Sequence, residues 1–368
     1  MNGRLRFGFV GLHRSASFVR AVASHPNAKA DAFCDIVLKR AQEAATGHDA
    51  KAFDDFEQML DEAKPDAVVV ATPMQFHAAQ AVAALERGVA VLSEVPAAVS
   101  IDECRRIVAA AEASKAVYMM AENYCYMRAN VLVGEMVKAG VFGDVYFAEG
   151  EYIHELKELN EITIWRRKWQ TGINGCTYGT HSLGPILQWL GTQRVTGVSC
   201  VGSGHHYRDP RGNEYELEDT VVMLCRLSRG GLVKVRLDML SDRPHAMTNY
   251  ALQGTDGAYE SARAPGEPNR VWIKGTSEKK DAWDRLENYE EKFLPDFWKH
   301  PPQEAVKAGH GGGDYFEIVD FIRAVRGEAP CPIDVHRAMD MTLPGLVSQQ
   351  SIRQNGAWLD VPNSREWQ

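Results

Sequence analysis

Between residues 5 and 120 the chain alternates short apolar runs with helix-compatible stretches, and this alternation constrains the fold more than any other feature. Arg6-Phe7-Gly8-Phe9-Val10 stops at Gly11, a helix is expected over 15–24, and Ala30-Asp31-Ala32-Phe33-Cys34-Asp35 reads as the next strand. Strand, glycine turn, helix and a strand ending in an acid is the order of a nucleotide-binding βαβ unit. There, the helix N-terminus offers backbone N–H groups to a pyrophosphate and the acid takes ribose hydroxyls. The pattern continues with a buried-type strand over 66–73, a helix over 77–87 and a strand over 88–96. Ser100 then opens a helix with Glu103 three residues on, a capping box, and Ile101, Cys104, Ile107, Val108 and Ala111 share one face. A last run over 117–120 completes what reads as a doubly wound parallel sheet.

The glycine fingerprint is incomplete. Gly11-Leu12-His13-Arg14-Ser15-Ala16 keeps only the first glycine, and His13 stands where bare backbone normally approaches phosphate. By itself this motif leaves a ligand-free tight turn open. Lys39 and Arg40 follow Asp35 closely and leave a 2′-phosphate open too, although Asp35 would repel one.

Beyond residue 123 the pattern turns to long β-type runs over 145–153, 195–201, 220–227 and 232–240. A turn is expected over 208–213, a charged and aromatic surface excursion or lid over 275–299, and helices over 313–326 and 335–353.

Ala71-Thr72-Pro73 with His77, followed by Gly88-Val89-Ala90-Val91-Leu92-Ser93-Glu94-Val95-Pro96, resembles the Gfo/Idh/MocA oxidoreductase family. The resemblance implies an α/β Rossmann domain over 1–122. It implies an α+β substrate domain over 123–368, with a large open, mostly antiparallel sheet and C-terminal helices that can pack back on the Rossmann domain. It also implies bound NAD, with NADP the lesser alternative. The cofactor would be held by Gly11, Leu12, His13, Arg14, Asp35, Thr72, Pro73, His77, Glu94, Val95 and Asn123.

One departure matters. Most dehydrogenases of that family carry Glu-Lys-Pro, whose lysine assists deprotonation of the alcohol. Here Val95 stands in its place and cannot move a proton. Glu94-Val95-Pro96-Ala97, Glu122-Asn123 with Cys125-Tyr126, Tyr152-Ile153-His154, the run Tyr178-Gly179-Thr180-His181-Ser182-Leu183-Gly184-Pro185 and the run Gly309-His310-Gly311-Gly312-Gly313-Asp314-Tyr315 are together similar to one branch, glycoside hydrolase family 109. That likeness implies an active-site set of Glu122, Tyr152, Tyr178 and His181. Gly179, Ser182 and Glu155 depart from the branch pattern, where proline, glycine and aspartate are usual.

The chemistry suits these residue types. Hydride removal from a carbinol carbon needs a base on the hydroxyl, and imidazole titrates near working pH. Oxidation at C3 of a glycoside acidifies the C2–H, and a tyrosine could take that proton only if its pKa fell well below about 10. Each residue also has a plainer reading. Tyr152 in a strand would be packing, and His181 could be a core histidine at a helix start. Trp165, Arg166 and Trp169 either bind the sugar or cover the sheet. His310 lies in a glycine run that either approaches the sugar or leads into a helix capped by Asp314. Glu151, His154 and His181 form no recognisable metal-ligand spacing, so no metal is expected.

Three activities remain open: redox-neutral glycoside cleavage, net sugar oxidation to a keto-sugar, and ligand sensing on the same scaffold. The 368 residues, with 41 basic against 49 acidic side chains and no basic block, argue against nucleic acid or an anionic membrane as partner. The expected partner is a small sugar or glycoside. The start MNGRLRFGFVGLH runs straight into a strand, no apolar run approaches membrane-span length, and seven scattered cysteines form no C-x-x-C; a cytoplasmic protein is expected. The family likeness adds a homodimer or homotetramer.

Overall fold

A computed structural model describes residues 3–244 and 247–367, and the chain forms two compact units. The first comprises Met1–Tyr126, Pro301–Met339 and Ser364–Gln368; the second comprises Met127–His300 and Asp340–Asn363.

In the first unit six strands, β1 (Leu5–Val10), β2 (Ala28–Cys34), β3 (Lys51–Phe53), β4 (Ala67–Val70), β5 (Ala90–Ser93) and β6 (Tyr118–Met120), form one parallel sheet. Their order is β3-β2-β1-β4-β5-β6. Helices α1 (Ala16–Ser24), α2 (Leu38–Ala45), α3 (Phe56–Ala63), α4 (His77–Glu86) and α5 (Ile101–Ser114) make the crossovers. This is the Rossmann-type parallel sheet that the alternation implied. Strand direction of connection reverses between β1 and β4, so ligands belong at the carboxyl ends of those two strands. Gly11 ends β1 there with φ +82°, and a Cβ on it would lie 2.5 Å from the carbonyl carbon and oxygen of Ala71. Only glycine lets the two strand ends close on each other.

The capping box at α5 holds in modified form. Ser100 Oγ accepts from Glu103 N at 3.2 Å, but Glu103 Oε2 accepts from Val99 N at 2.9 Å, one residue earlier than the usual partner. The helix Gly313–Val325 belongs to this unit for packing reasons. Phe321 meets Phe7 edge-on with centroids 6.0 Å apart, both rings being fully buried, and Met120 N donates to Ile333 O at 3.1 Å. Burying one such ring contributes about 1.5–3 kcal/mol.

The second unit is built on nine strands: β7 (Val145–Ile153), β8 (Val195–Gly202), β9 (Thr220–Leu227), β10 (Leu232–Asp238), β11 (Met247–Gly254), β12 (Gly257–Glu260), β13 (Arg270–Ile273), β14 (Asp284–Arg285) and β15 (Leu359–Asp360). The order is β14-β13-β12-β11-β7-β10-β9-β8-β15, and only β7 and β10 pair in parallel. The large, mostly antiparallel sheet is therefore present. The segment 275–299 is less of an excursion than the sequence implied. Its Asp284–Arg285 extends the sheet, Leu286, Leu294 and Trp298 are buried, and Arg128 pairs with Glu290 at 2.7 Å.

One contact positions the rest of this unit's chemistry. A Cβ at Gly150, in β7, would lie 2.2 Å from Ser182 O, in the first turn of the helix Thr180–Trp189. Tyr250, which faces Gly150 from β11, donates its hydroxyl to His181 O at 2.5 Å. Gly150→Ala is expected to destabilise the chain by about 1–3 kcal/mol through forced displacement of that helix. Gly197→Ala, whose Cβ would meet nothing nearer than 3.5 Å, serves as the tolerated control in urea unfolding followed by tryptophan fluorescence.

Candidate functional site

The first unit's strand ends carry the residues expected to hold the cofactor. Asp35, 6% exposed, accepts Leu12 N at 3.2 Å through one oxygen. Its other oxygen accepts Val37 N at 3.1 Å and Arg40 Nη1 at 2.9 Å. The acid is thus held rigidly at the end of β2, beside the 92%-exposed Ile36. Lys39 points elsewhere, toward Glu43 at 3.8 Å. Ser15 begins α1, and its Oγ is buried with no hydrogen-bond partner among the described residues. An orphaned hydroxyl at the helix end where a pyrophosphate belongs fits a dinucleotide. His13 is exposed at this turn.

His77 does not line the crevice; it clamps it. The ring is 1% exposed, with Nδ1 2.9 Å from Pro96 O and Nε2 2.7 Å from Thr72 O. Thr72-Pro73 is thereby tied to the strand end carrying Glu94 and the buried Val95. Burial pushes the His77 imidazole down, against the pull of the two carbonyls and of Glu94 and Glu103.

Arg14 organises the remaining polar groups of this unit. Its guanidinium lies 2.6 Å from Glu94 and 3.6 Å from Asp314. Asp314 Oδ1 is 2.8 Å from His310 Nδ1 and accepts from Asn123 Nδ2 at 3.3 Å. Of the two readings open for this run, a helix capped by Asp314 does not hold. Gly312, left-handed at φ 99°, is the N-cap, and Asp314 sits inside the first turn with its carboxylate turned to Arg14, Asn123 and His310. His310, expected to bind sugar, belongs to this Rossmann unit and stacks beside Tyr124 at 5.7 Å. Glu122 is fully buried, at the end of β6.

In the second unit Tyr152, Tyr178 and His181 come together. Ring centroids are 5.6 Å apart for Tyr152–Tyr178, 5.3 Å for Tyr152–His181 and 5.3 Å for Tyr178–His181. The tyrosine comes from β7 and the histidine from the helix that Gly150 admits. Sequence reasoning placed His154 in the family motif Tyr152-Ile153-His154 without a role and set it aside as a metal ligand. The structure gives it a place: Tyr152 Oη is 2.8 Å from His154 Nδ1. A Y-x-H spacing where β7 ends was the available signal. Thr177, Thr180 and Ser182 have buried hydroxyls with no partner among the described residues, consistent with a hydroxyl-rich ligand. Trp165, Arg166 and Trp169 ride half-buried on the short helix Ile164–Trp169, which has no fully buried residue. Arg166 stacks over Trp165 at 4.5 Å and donates to Gln170. His206, expected in a solvated loop, is exposed but tied to Asp219 at 2.6 Å.

Comparison with known proteins gives the family. Residues 5–122 match the oxidoreductase family with an NAD-binding Rossmann fold, and residues 126–366 match the C-terminal domain of glycosyl hydrolase 109. The chain belongs to glycosyl hydrolase family 109. It is an NAD-binding, carbohydrate-directed enzyme on a Gfo/Idh/MocA frame. A family 109 protein of Saccharopolyspora erythraea is 31% identical over 98% of this chain and 83% of its own. An alpha-N-acetylgalactosaminidase of Tannerella forsythia is 29% identical over 98% and 86% respectively. A levoglucosan dehydrogenase solved with NADH and levoglucosan shares the fold, with TM-score 0.80, 19% identity and coverage of 98% and 100%.

A cleft of about 780 Å³ lined by Lys64, Arg87, Gly88 and Lys115 lies at the opposite end of the Rossmann sheet. Its cations sit at the C-terminal ends of α3, α4 and α5, where helix dipoles favour them, so it needs no ligand.

Asp314 yields a pH test. Burial alone would raise its carboxyl, but the His310 hydrogen bond and the His310 and Arg14 charges overcome this and bring it to about 2. A depressed carboxyl contributes stability that is present above the unfolded pKa, near 4, and lost as pH falls toward 2. Asp314→Asn is expected to cost about 2 kcal/mol at pH 7 and to flatten the acid limb of the stability–pH curve below pH 4. Denaturant unfolding at a series of pH values checks both.

Proposed function

We propose that the enzyme cleaves glycosides without net oxidation, by transient oxidation of the sugar at C3. The observation that carries this reading is the Tyr152–His154 hydrogen bond inside the Tyr152–Tyr178–His181 cluster, in a chain whose Val95 removes the usual lysine. A plain dehydrogenase needs one base, on the hydroxyl. Here two base systems are built.

When bound, NAD+ supplies the hydride acceptor and later returns the hydride. His181 takes the C3 hydroxyl proton as the C–H bond gives up its hydride, leaving a ketone. The ketone acidifies the C2–H. Tyr152 removes that proton after passing its own phenolic proton to His154 Nδ1. The 2.8 Å contact serves both states, phenol to imidazole and imidazolium to phenolate, and the second lowers the cost of the tyrosinate. The electron pair of the C2–H bond forms a C1–C2 double bond and the aglycone leaves from C1. Water adds at C1 and the returned proton at C2, and the hydride restores the alcohol. Tyr178, edge-on to His181 at 88°, orients the imidazole. Glu122 belongs to the active-site set on the family resemblance, and Trp165, Arg166, Trp169 and His310 are assigned to the substrate on their side-chain chemistry. The cofactor residues are Gly11, Leu12, His13, Arg14, Asp35, Thr72, Pro73, Glu94, Val95 and Asn123, with His77 bracing them. Asp35, acidic and fixed, favours NAD over NADP.

The Tannerella relative makes α-linked N-acetylgalactosaminides the first substrates to try. No helix of the described residues is long and apolar enough to cross a membrane. Seven free cysteines support a reducing, cytoplasmic setting. A homodimer or homotetramer would use the open sheet face, where Glu149–Lys234 and Glu151–Arg263 pair at 2.6 and 2.9 Å.

The test incubates purified enzyme with a panel of nitrophenyl glycosides and no added NAD. Aglycone release over many turnovers, with no accumulated NADH, is expected. Steady NADH formation without aglycone, on added NAD, would make the enzyme a net dehydrogenase. His181→Ala leaving ligand-dependent behaviour intact and no activity ever detectable in the parent would favour a sensor. His154→Ala is expected to slow exchange of the C2 proton with deuterated solvent about 10²–10³-fold while sparing single-turnover NADH formation.

A further inference from the structure

The mechanism above makes no use of Glu317, on the helix Gly313–Val325. Its side chain is 0% exposed, and neither carboxyl oxygen has a hydrogen-bond partner among the described residues. A buried ionised carboxylate without donors is among the costliest arrangements a fold can hold. The groups acting on it deepen the problem. Asp314 stands about one helical turn earlier, Glu94 follows β5, and Glu122 follows β6. Arg14, at the start of α1, is the one cation among the groups acting on it, and it already lies 2.6 Å from Glu94 and 3.6 Å from Asp314. His310 acts through Asp314; Cys125 and Tyr126, which also feel Glu317, have their pKa values pushed up by burial, and the cation Arg337 acts on Cys125 and Asp320 on Tyr126. Burial, then Asp314 and Glu94, push the Glu317 carboxyl well above its ordinary range. Burial and the neighbouring carboxylates thus both favour the neutral acid over the carboxylate.

The cofactor changes charge at its ring: the oxidised pyridinium is cationic and the reduced dihydropyridine is neutral. We propose that Glu317 balances this change, ionised when NAD+ is bound and protonated when NADH is bound. This rests on the reading that Glu94 and Asn123 mark the nicotinamide end of the site. On binding NAD+, the carboxylic acid O–H breaks and one proton goes to solvent; on binding NADH, the acid stays intact. During turnover, the substrate hydroxyl yields one proton as the ring takes the hydride pair, and Glu317 consumes one, so the step exchanges no net proton with solvent. Return of the hydride reverses both. The carboxylate thus favours the oxidised cofactor, and a keto intermediate that must be short-lived is pushed back to alcohol.

The test uses the full chain and the two free nucleotides, NAD+ and NADH, as probes. Calorimetry in two buffers of different ionisation enthalpy, between pH 6 and 8, reads the protons released with each. NAD+ is expected to release about one proton more than NADH, and its dissociation constant to rise about tenfold per unit fall in pH while that of NADH stays flat. Glu317→Gln is expected to abolish both differences while still binding each nucleotide. Equal proton release in the parent, or the same difference in the Gln variant, overturns the proposal. If the parent binds neither nucleotide, the cofactor reading falls instead. Should the Gln variant not fold, infrared difference spectra of the parent, NADH-bound minus NAD+-bound, decide the matter. A new carboxylic-acid C=O band supports the assignment, and its absence overturns it.

Discussion

The close approach of strand β7 to the helix Thr180–Trp189 is the constraint on which the second unit's chemistry depends. Position 150 has no Cβ, and the space it vacates is filled by the carbonyl of Ser182. A helix resting on a sheet through ordinary side chains stands about 10 Å away, too far for a strand tyrosine and a helix histidine to share a ring contact. With backbone against backbone, Tyr152 and His181 meet at 5.3 Å although 29 residues of chain separate them. Tyr250 then fixes the helix end by taking the His181 carbonyl, so the imidazole is held from below. Preorganisation of this kind reduces the motion needed at the moment of proton transfer.

The first unit obeys a different constraint, one of charge. Glu94, Glu122, Asp314 and Glu317 are buried in this unit; Arg14 pairs with Glu94 and Asp314, Arg337 acts on the neighbouring Cys125, and so many buried acids favour a protonated member or an added cation. His13 and Ala16 stand where the second and third fingerprint glycines would be, and Arg14, between them, ties the turn before α1 to Asp314.

Much of this was legible in the sequence, and the exceptions have physical causes. The parallel sheet, the cofactor turns and the Tyr178–His181 motif carry strong local signals: apolar runs closed by Gly11 or Pro73, and polar residues set against an apolar helix. Strands β11 to β13 were not read, because polar Asn249 and Gln253 face the open side of the sheet and break the apolar run. His154 was misjudged because its partner is a phenol two residues away on the same strand, a contact that no metal spacing rule covers. Asp314 could be read as a cap because it precedes an apolar stripe, but His310-Gly311-Gly312 all have positive φ and the helix starts with Gly312 as its N-cap, two residues before Asp314. Glu317 was invisible. A glutamate among Phe316, Ile318 and Phe321 reads as the polar side of an amphipathic helix, and only the fold shows that this helix has no solvent side there.

Val95 joins the two units' chemistry into one argument. A lysine in that place would carry a positive charge beside Glu94, and would serve both as base and as counterion to the acidic cluster. Valine, 3% exposed, removes both services. In the proposed mechanism proton transfer then falls to tyrosine and histidine, which the second unit supplies in a hydrogen-bonded pair. In the same reading the counter-charge to the acids comes from arginine, from a proton on Glu317, or from the oxidised cofactor. A single apolar substitution thus accounts for both oddities of the chain: a tyrosine backed by histidine where one base would suffice for oxidation, and a buried acid with nothing to bond to.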